Sequence, residues 1–256
     1  MFAPAHLRVP GRDRAILTAS LVAITAVAWL VLWFWEGSPY GHYLHHDGVD
    51  GVGASLALGA GAFTVGWTLM IVAMMLPSSV PLVVTFGALV GRRRQPARLV
   101  ALLLLGYLLV WAGFGFAAWA ADRVVHSAVE ALPWLAARPQ LIIGATLLAA
   151  GLWQFSPLRD RCLDECRSPL GFVLNRWRGT SERREALLMG IAHGAFCVGC
   201  CWSLMLVMFG VGISSLSAML VLGGLTAIEK NLPKGRRLTR PLGVVLVLAA
   251  VYAVAA

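Results

Sequence analysis

Apolar residues run along this chain in seven long blocks with short polar stretches between them. The blocks cover Ala15–Trp35, Leu56–Val90, Leu99–Ala121, Gln140–Phe155, Ala186–Phe209, Ile213–Ile228 and Pro241–Ala256. A helix rises about 1.5 Å per residue, and about twenty apolar residues cross the ~30 Å hydrocarbon core of a bilayer. The pattern therefore predicts an all-α, polytopic transmembrane bundle of about seven helices. The blocks at Gln140, Ile213 and Pro241 are short, which points to little tilt or a locally thin bilayer. Pro77 and Pro81 fall inside the second block and predict a kink there. The first block is too long and too Trp-rich for a cleaved signal and reads as a permanent helix. One bundle can absorb residues 1–256, so a single domain is expected.

The polar stretches orient the bundle. Three Arg precede the first block, and four Arg lie between the second and third. Seven Arg lie between the fourth and fifth, and five Lys or Arg between the sixth and seventh. These are nineteen of the 21 basic residues, leaving Arg123 and Arg138 on the other side. The positive-inside rule then puts the N-terminus in the cytoplasm and the C-terminus outside, as in a multi-pass protein of a bacterial inner membrane. Composition agrees, with 59% hydrophobic and only 13% charged residues, against about a quarter charged in soluble domains. The net charge of +9 follows from the loop arginines and gives no basis for nucleic-acid binding.

All five cysteines lie between Cys162 and Cys201. His193, Cys197, Cys201 and Met205 are each four residues apart, and Cys200 and Met208 flank the same stripe. One helix face thus offers an imidazole, thiols and thioethers. Met70, Met74 and Met75 follow Trp67 in the second block. Soft sulfur donors select Cu(I), zinc or iron–sulfur clusters, and a Cys/Met stripe suits Cu(I) best, with zinc second. Taken singly, each residue is ordinary core; the cluster is what points to a site. Cys162 and Cys166 share a helical face in the inner loop, Ser156–Glu185, where thiols stay reduced and a metal or a transient redox role is favoured. Glu229, at the inner end of the sixth block, is an ionisable group near membrane depth and a further candidate. The outer loop Glu36–Ser55 carries His42, His45, His46, Asp47 and Asp50, a weaker surface tract. Gly106, Gly113 and Gly115 would let helices approach closely.

Several segments together resemble a known family. They are Trp67-x2-Met70-x3-Met74-Met75-x-Pro77, Trp153-Gln154-Phe155-Ser156-Pro157-Leu158, Cys162-x3-Cys166-Arg167, His193-Gly194, Cys197-x2-Cys200-Cys201-Trp202-x2-Met205 and Glu229-Lys230. Over Trp67–Lys230 the chain resembles the bacterial predicted metal-binding integral membrane proteins. The resemblance implies a membrane bundle that binds metal. The residues favour Cu(I) handling, by transport or by delivery to a membrane copper enzyme, with a small metallochaperone as another partner. No nucleotide-binding motif is present, which argues against ATP-driven pumping by this chain. Two other classes compete: an accessory or assembly subunit of a membrane metalloenzyme, and a membrane thiol–disulfide oxidoreductase. The deep apolar setting of Cys197 disfavours the oxidoreductase.

Overall fold

Proline and glycine punctuate the apolar blocks, and the computed structural model, which describes residues 11–38, 56–211 and 215–255, follows that punctuation. Among the described residues every regular element is helical: α1 (Gly11–Glu36), α2 (Leu56–Met74), α3 (Leu76–Val90), α4 (Pro96–Ala131), α5 (Pro133–Ala136), α6 (Gln140–Trp153), α7 (Pro157–Arg167), α8 (Pro169–Arg176), α9 (Glu182–Val211), α10 (Leu216–Asn231) and α11 (Thr239–Ala255), the last preceded by a 3₁₀ turn at Gly235–Leu238. Helices α4, α5, α7 and α8 each begin on a proline, whose missing N–H is one of the first-turn donors left without an intrahelical partner anyway. The His-rich tract 42–50 lies outside the described residues.

The structure sharpens three expectations. The kink expected in the second block is a break at Met75, where α2 and α3 meet with a 69° bend. The helical face expected at Cys162 and Cys166 lies on α7, which leaves α6 at 65° and is followed by α8. The third block extends well past Ala121, to Ala131. Four helices are long and apolar enough to cross a membrane, or up to six if each bent pair forms one span. Helix α10, at 16 residues, rises only about 24 Å. The outward faces of α1, α10 and α11 expose Val22, Phe34, Leu220, Val221, Leu248 and Tyr252, an apolar exterior compatible with lipid.

The core sits between α2, α4, α9 and α10, and its closest seam is α4 against α9. A Cβ on Gly190 would run into the Leu103 carbonyl, and one on Gly106 into the backbone at Leu187 and Ile191. Gly115 makes room for the Trp67 ring, whereas Gly113 has open space around it. Two of the three expected glycines therefore act as contact points. Gly190→Ala should destabilise the purified protein by about 1–3 kcal/mol, because backbone atoms cannot swing aside. Gly113→Ala should be neutral or stabilise by up to about 1 kcal/mol through helix propensity. Thermal unfolding checks this, and equal effects at the two positions would contradict the seam.

Candidate metal site

The break at Met75 begins with Pro77, which has no N–H to give the carbonyl of Ala73. That carbonyl accepts instead from the Trp29 indole N–H on α1, at 3.1 Å. The Met75 carbonyl accepts from the hydroxyls of Ser78 at 2.8 Å and Ser79 at 3.3 Å. A neighbouring helix and local hydroxyls thus satisfy the groups that the proline disturbs. The break leaves the thioether of Met75 wholly buried, with Sδ 3.9 Å from Cys201 Sγ. The α2 and α9 sulfurs therefore meet.

On α9, Cys197, Cys200 and Cys201 are all buried. The thiols of Cys200 and Cys201 both donate to the Cys197 carbonyl, at 3.1 and 2.9 Å. From the other side comes α7, an amphipathic helix whose apolar stripe packs on α9. Arg159, Cys162 and Leu163 are buried on it and Cys166 is half-buried, the i, i+3, i+4, i+7 spacing of one face. Cys166 comes within hydrogen-bonding reach of Cys200. Cys162 sits over Gly199, where a Cβ would lie only 2.6 Å from its sulfur. The Gly199 carbonyl in turn accepts from the Trp153 indole at 3.1 Å.

A buried cation lies among these sulfurs. Lys230 of α10 is 5% exposed, and its Nζ lies 2.9 Å from Cys197 Sγ, 3.4 Å from Ser78 Oγ and 3.9 Å from Met75 Sδ. Among the described residues it forms no ion pair with a carboxylate. Its neighbour Glu229 turns elsewhere. One Glu229 oxygen accepts from Arg159 at 2.6 Å and the other from the Thr239 hydroxyl at 3.0 Å. Glu229 is thus committed to a buried ion pair and is not brought to the sulfurs.

The remaining candidates flank the cluster. His193 Nε2 lies 3.1 Å from Ser79 Oγ, and its ring stacks on Tyr107. The Tyr107 hydroxyl is 3.3 Å from Cys197 Sγ. His193 thus touches the site through a hydroxyl network, not through a ring nitrogen aimed at sulfur. Met70, Met74, Met205 and Met208 are buried in the same cluster, with Met74 packed over Gly223 of α10. Sequence reasoning placed Met75 beside the candidate methionines without singling it out, and read Lys230 as an interfacial marker. The proline two residues after Met75 was the available signal for the first. For the second the signal was the Glu229-Lys230 pair among the segments that carry the family resemblance.

The family model described as PpoB2, copper chaperone, matches residues 64–253. The chain belongs to this copper chaperone family. The match spans every sulfur named above and Lys230, and it agrees with the expectation of a metal-binding family. No curated protein and no solved structure gives a significant match.

Copper as cargo fits the donors by chemistry rather than by a ready-made cage. Among the described residues no three His, Cys, Asp or Glu side chains are grouped to hold an ion. The convergent donors are instead thiols plus a thioether, the soft set that suits Cu(I). The packing also constrains the thiols themselves. Mild oxidation should join Cys166 to Cys200, which lie within reach of each other. It should not join Cys200 to Cys201, whose positions diverge by about 100° around a helix. Peptide mapping by mass spectrometry without reduction reads both bonds. A Cys200–Cys201 bond would contradict the helical backbone there.

Proposed function

We propose that this protein is a membrane-embedded Cu(I) chaperone that holds the ion on sulfur inside its bundle and passes it to a membrane copper enzyme. In this reading residues 1–256 form one domain of about seven spans in a bacterial inner membrane, with the N-terminus in the cytoplasm. Cys197 and Cys201 bind the ion with Met75 as a third donor. Cys200 and Cys166, with Cys162 beside them, form a neighbouring thiol set on the cytoplasmic side. Met70, Met74 and Met205 line the route beyond, and His193 supports the site through Ser79. Glu229 holds α7 in place. Copper is favoured over zinc by the family and by the thioether. Partners are the bilayer, a receiving copper enzyme and a small donor metallochaperone.

The observation that carries this reading is the meeting of three separate helices at one group of sulfurs: Met75 at the α2–α3 break, Cys197, Cys200 and Cys201 on α9, and Cys166 on α7. Sulfurs spaced this closely let Cu(I) exchange ligands one at a time without being released. No such convergence is needed by a protein that only braces a partner. A thiol oxidoreductase would use the Cys166–Cys200 contact but has no need of Met75.

Anaerobic loading separates these readings. Purified, reduced protein should take up Cu(I), and Cys197→Ser combined with Cys201→Ser should abolish uptake. Cys162→Ser with Cys166→Ser should slow loading several-fold while leaving final occupancy near that of the unaltered protein. Loading at an unchanged rate in the second variant would remove α7 from the route. A metal-free protein that cycles a Cys166–Cys200 bond would replace the chaperone reading with the oxidoreductase one.

A further inference from the structure

A lysine is almost never buried without a partner, and here the partner is sulfur. The Lys230 side chain leaves α10 one residue after Glu229, and about 100° of helical rotation separates the two directions. Glu229 is taken up by Arg159 and Thr239, so the nearest carboxylate does not neutralise the ammonium. The ammonium reaches Cys197 at 2.9 Å, shorter than its distances to Ser78 and Met75. Apart from the neutral Tyr107 hydroxyl and the His193–Ser79 pair, the cluster around it is apolar, with Met70, Ile71, Leu204 and Met219 all buried. In such a medium an isolated charge of either sign is strongly disfavoured even after relaxation.

From this geometry, and resting on the Cu(I) reading above, we infer that Lys230 is the built-in counter-charge of the copper site and selects a monovalent ion. Cu(I) held by two thiolates carries one net negative charge. Beside the Lys230 ammonium the assembly is neutral. When the ion binds Cys197 and Cys201, two copper–sulfur bonds form. The thiol proton still present leaves to water, and no electron moves. A divalent ion on the same two thiolates would leave an uncompensated positive charge next to Lys230. The bundle therefore discriminates by charge as well as by ligand softness. Ser78 and Met75 hold the ammonium beside the sulfurs, so the compensation is in place before the ion arrives. Lys230 is a specificity-determining residue and not a metal ligand.

The test measures Cu(I) and Zn(II) affinities of the full-length reduced protein in detergent, by anaerobic competition with a chromogenic chelator for each ion. Lys230→Leu removes the charge and adds no donor. It should weaken Cu(I) by at least about a hundredfold, as expected for leaving one buried charge uncompensated. Zn(II) should be unchanged or tighter, so the Cu(I)-to-Zn(II) preference falls. Lys230→Arg keeps the charge and should retain most of the Cu(I) affinity. Equal or tighter Cu(I) binding in Lys230→Leu overturns the inference, because the lysine would then be a competitor for the ion's seat. Parallel loss of both ions also overturns it, since that is the mark of a purely structural lysine. If the unaltered protein takes no Cu(I), or if Cys197→Ser with Cys201→Ser retains it, the Cu(I) reading itself fails and takes this inference with it.

Discussion

The buried Arg159–Glu229 pair holds the sulfur site together. Arg159 is fully buried, and Thr239 bridges the pair, accepting from Arg159 Nη1 at 2.9 Å and donating to Glu229 at 3.0 Å. Such a pair adds little stability relative to apolar packing. Its effect is positional, because it joins α7, α10 and the start of α11 at one point. Arg159 shares a helical face with Cys162 and Cys166, so fixing the arginine sets the register in which both thiols meet α9. Arg167 completes the clamp by donating to the Glu229 carbonyl in the last turn of α10, which has no helical partner, and to the carbonyls of Leu232 and Pro233 just beyond it.

The same clamp determines where Lys230 goes. With Glu229 turned toward α7, the next side chain on α10 turns toward α9 and the α2–α3 break. A charge then lies inside a buried cluster, where Cys197, Ser78 and Met75 receive it among the described residues. The Met75 carbonyl and the Ser78 and Ser79 hydroxyls are in position because Pro77 interrupts the helix. One missing backbone N–H, one buried ion pair and one helical step of 100° therefore build most of the site.

Much of this was legible in the chain. The apolar blocks named the helices, the cysteine stripe of α9 was visible from its spacing, and the paired spacing of Cys162 and Cys166 marked a helical face inside what read as a loop. The misses share a cause. Periodicity describes one helix at a time, and the failures came where two helices decide jointly. The break in the second block was not placed at Met75 because the apolar character never lapses there. Its division depends on Trp29, 44 residues away, accepting the role of donor to Ala73. Glu229 read as a candidate ligand because its buried partner, 70 residues earlier, looked like one arginine among seven in an inner loop. Gly199 carried no signal apart from its place between two cysteines. Its missing Cβ matters only because Cys162 arrives from another helix.

On the chaperone reading, the proposed two sulfur sets bear on how a copper chaperone can hold tightly and still let go. Cys197, Cys201 and Met75 gather around the lysine. Cys200 touches Cys166 on α7 as well as Cys197 and Cys201 on its own helix, and so joins the two sets. On the chaperone reading, an ion moving between the sets exchanges one sulfur for another at each step and keeps at least two throughout. The barrier is then that of ligand exchange and not of stripping a soft ion into an apolar medium. The charge is handled in the same stepwise way. The set nearest Lys230 is where two thiolates and a monovalent ion come to neutrality, so the ion should rest there and be only transient on the α7 side. Helix α7 itself is held by Arg159 at its N-terminal end, by Arg167 at its C-terminal end and by ion pairs of Asp160 and Asp164 with Arg236, while Cys162 and Leu163 are buried on its inner face. The α4–α9 seam rests on glycine-to-backbone contacts that lie apart from this clamp.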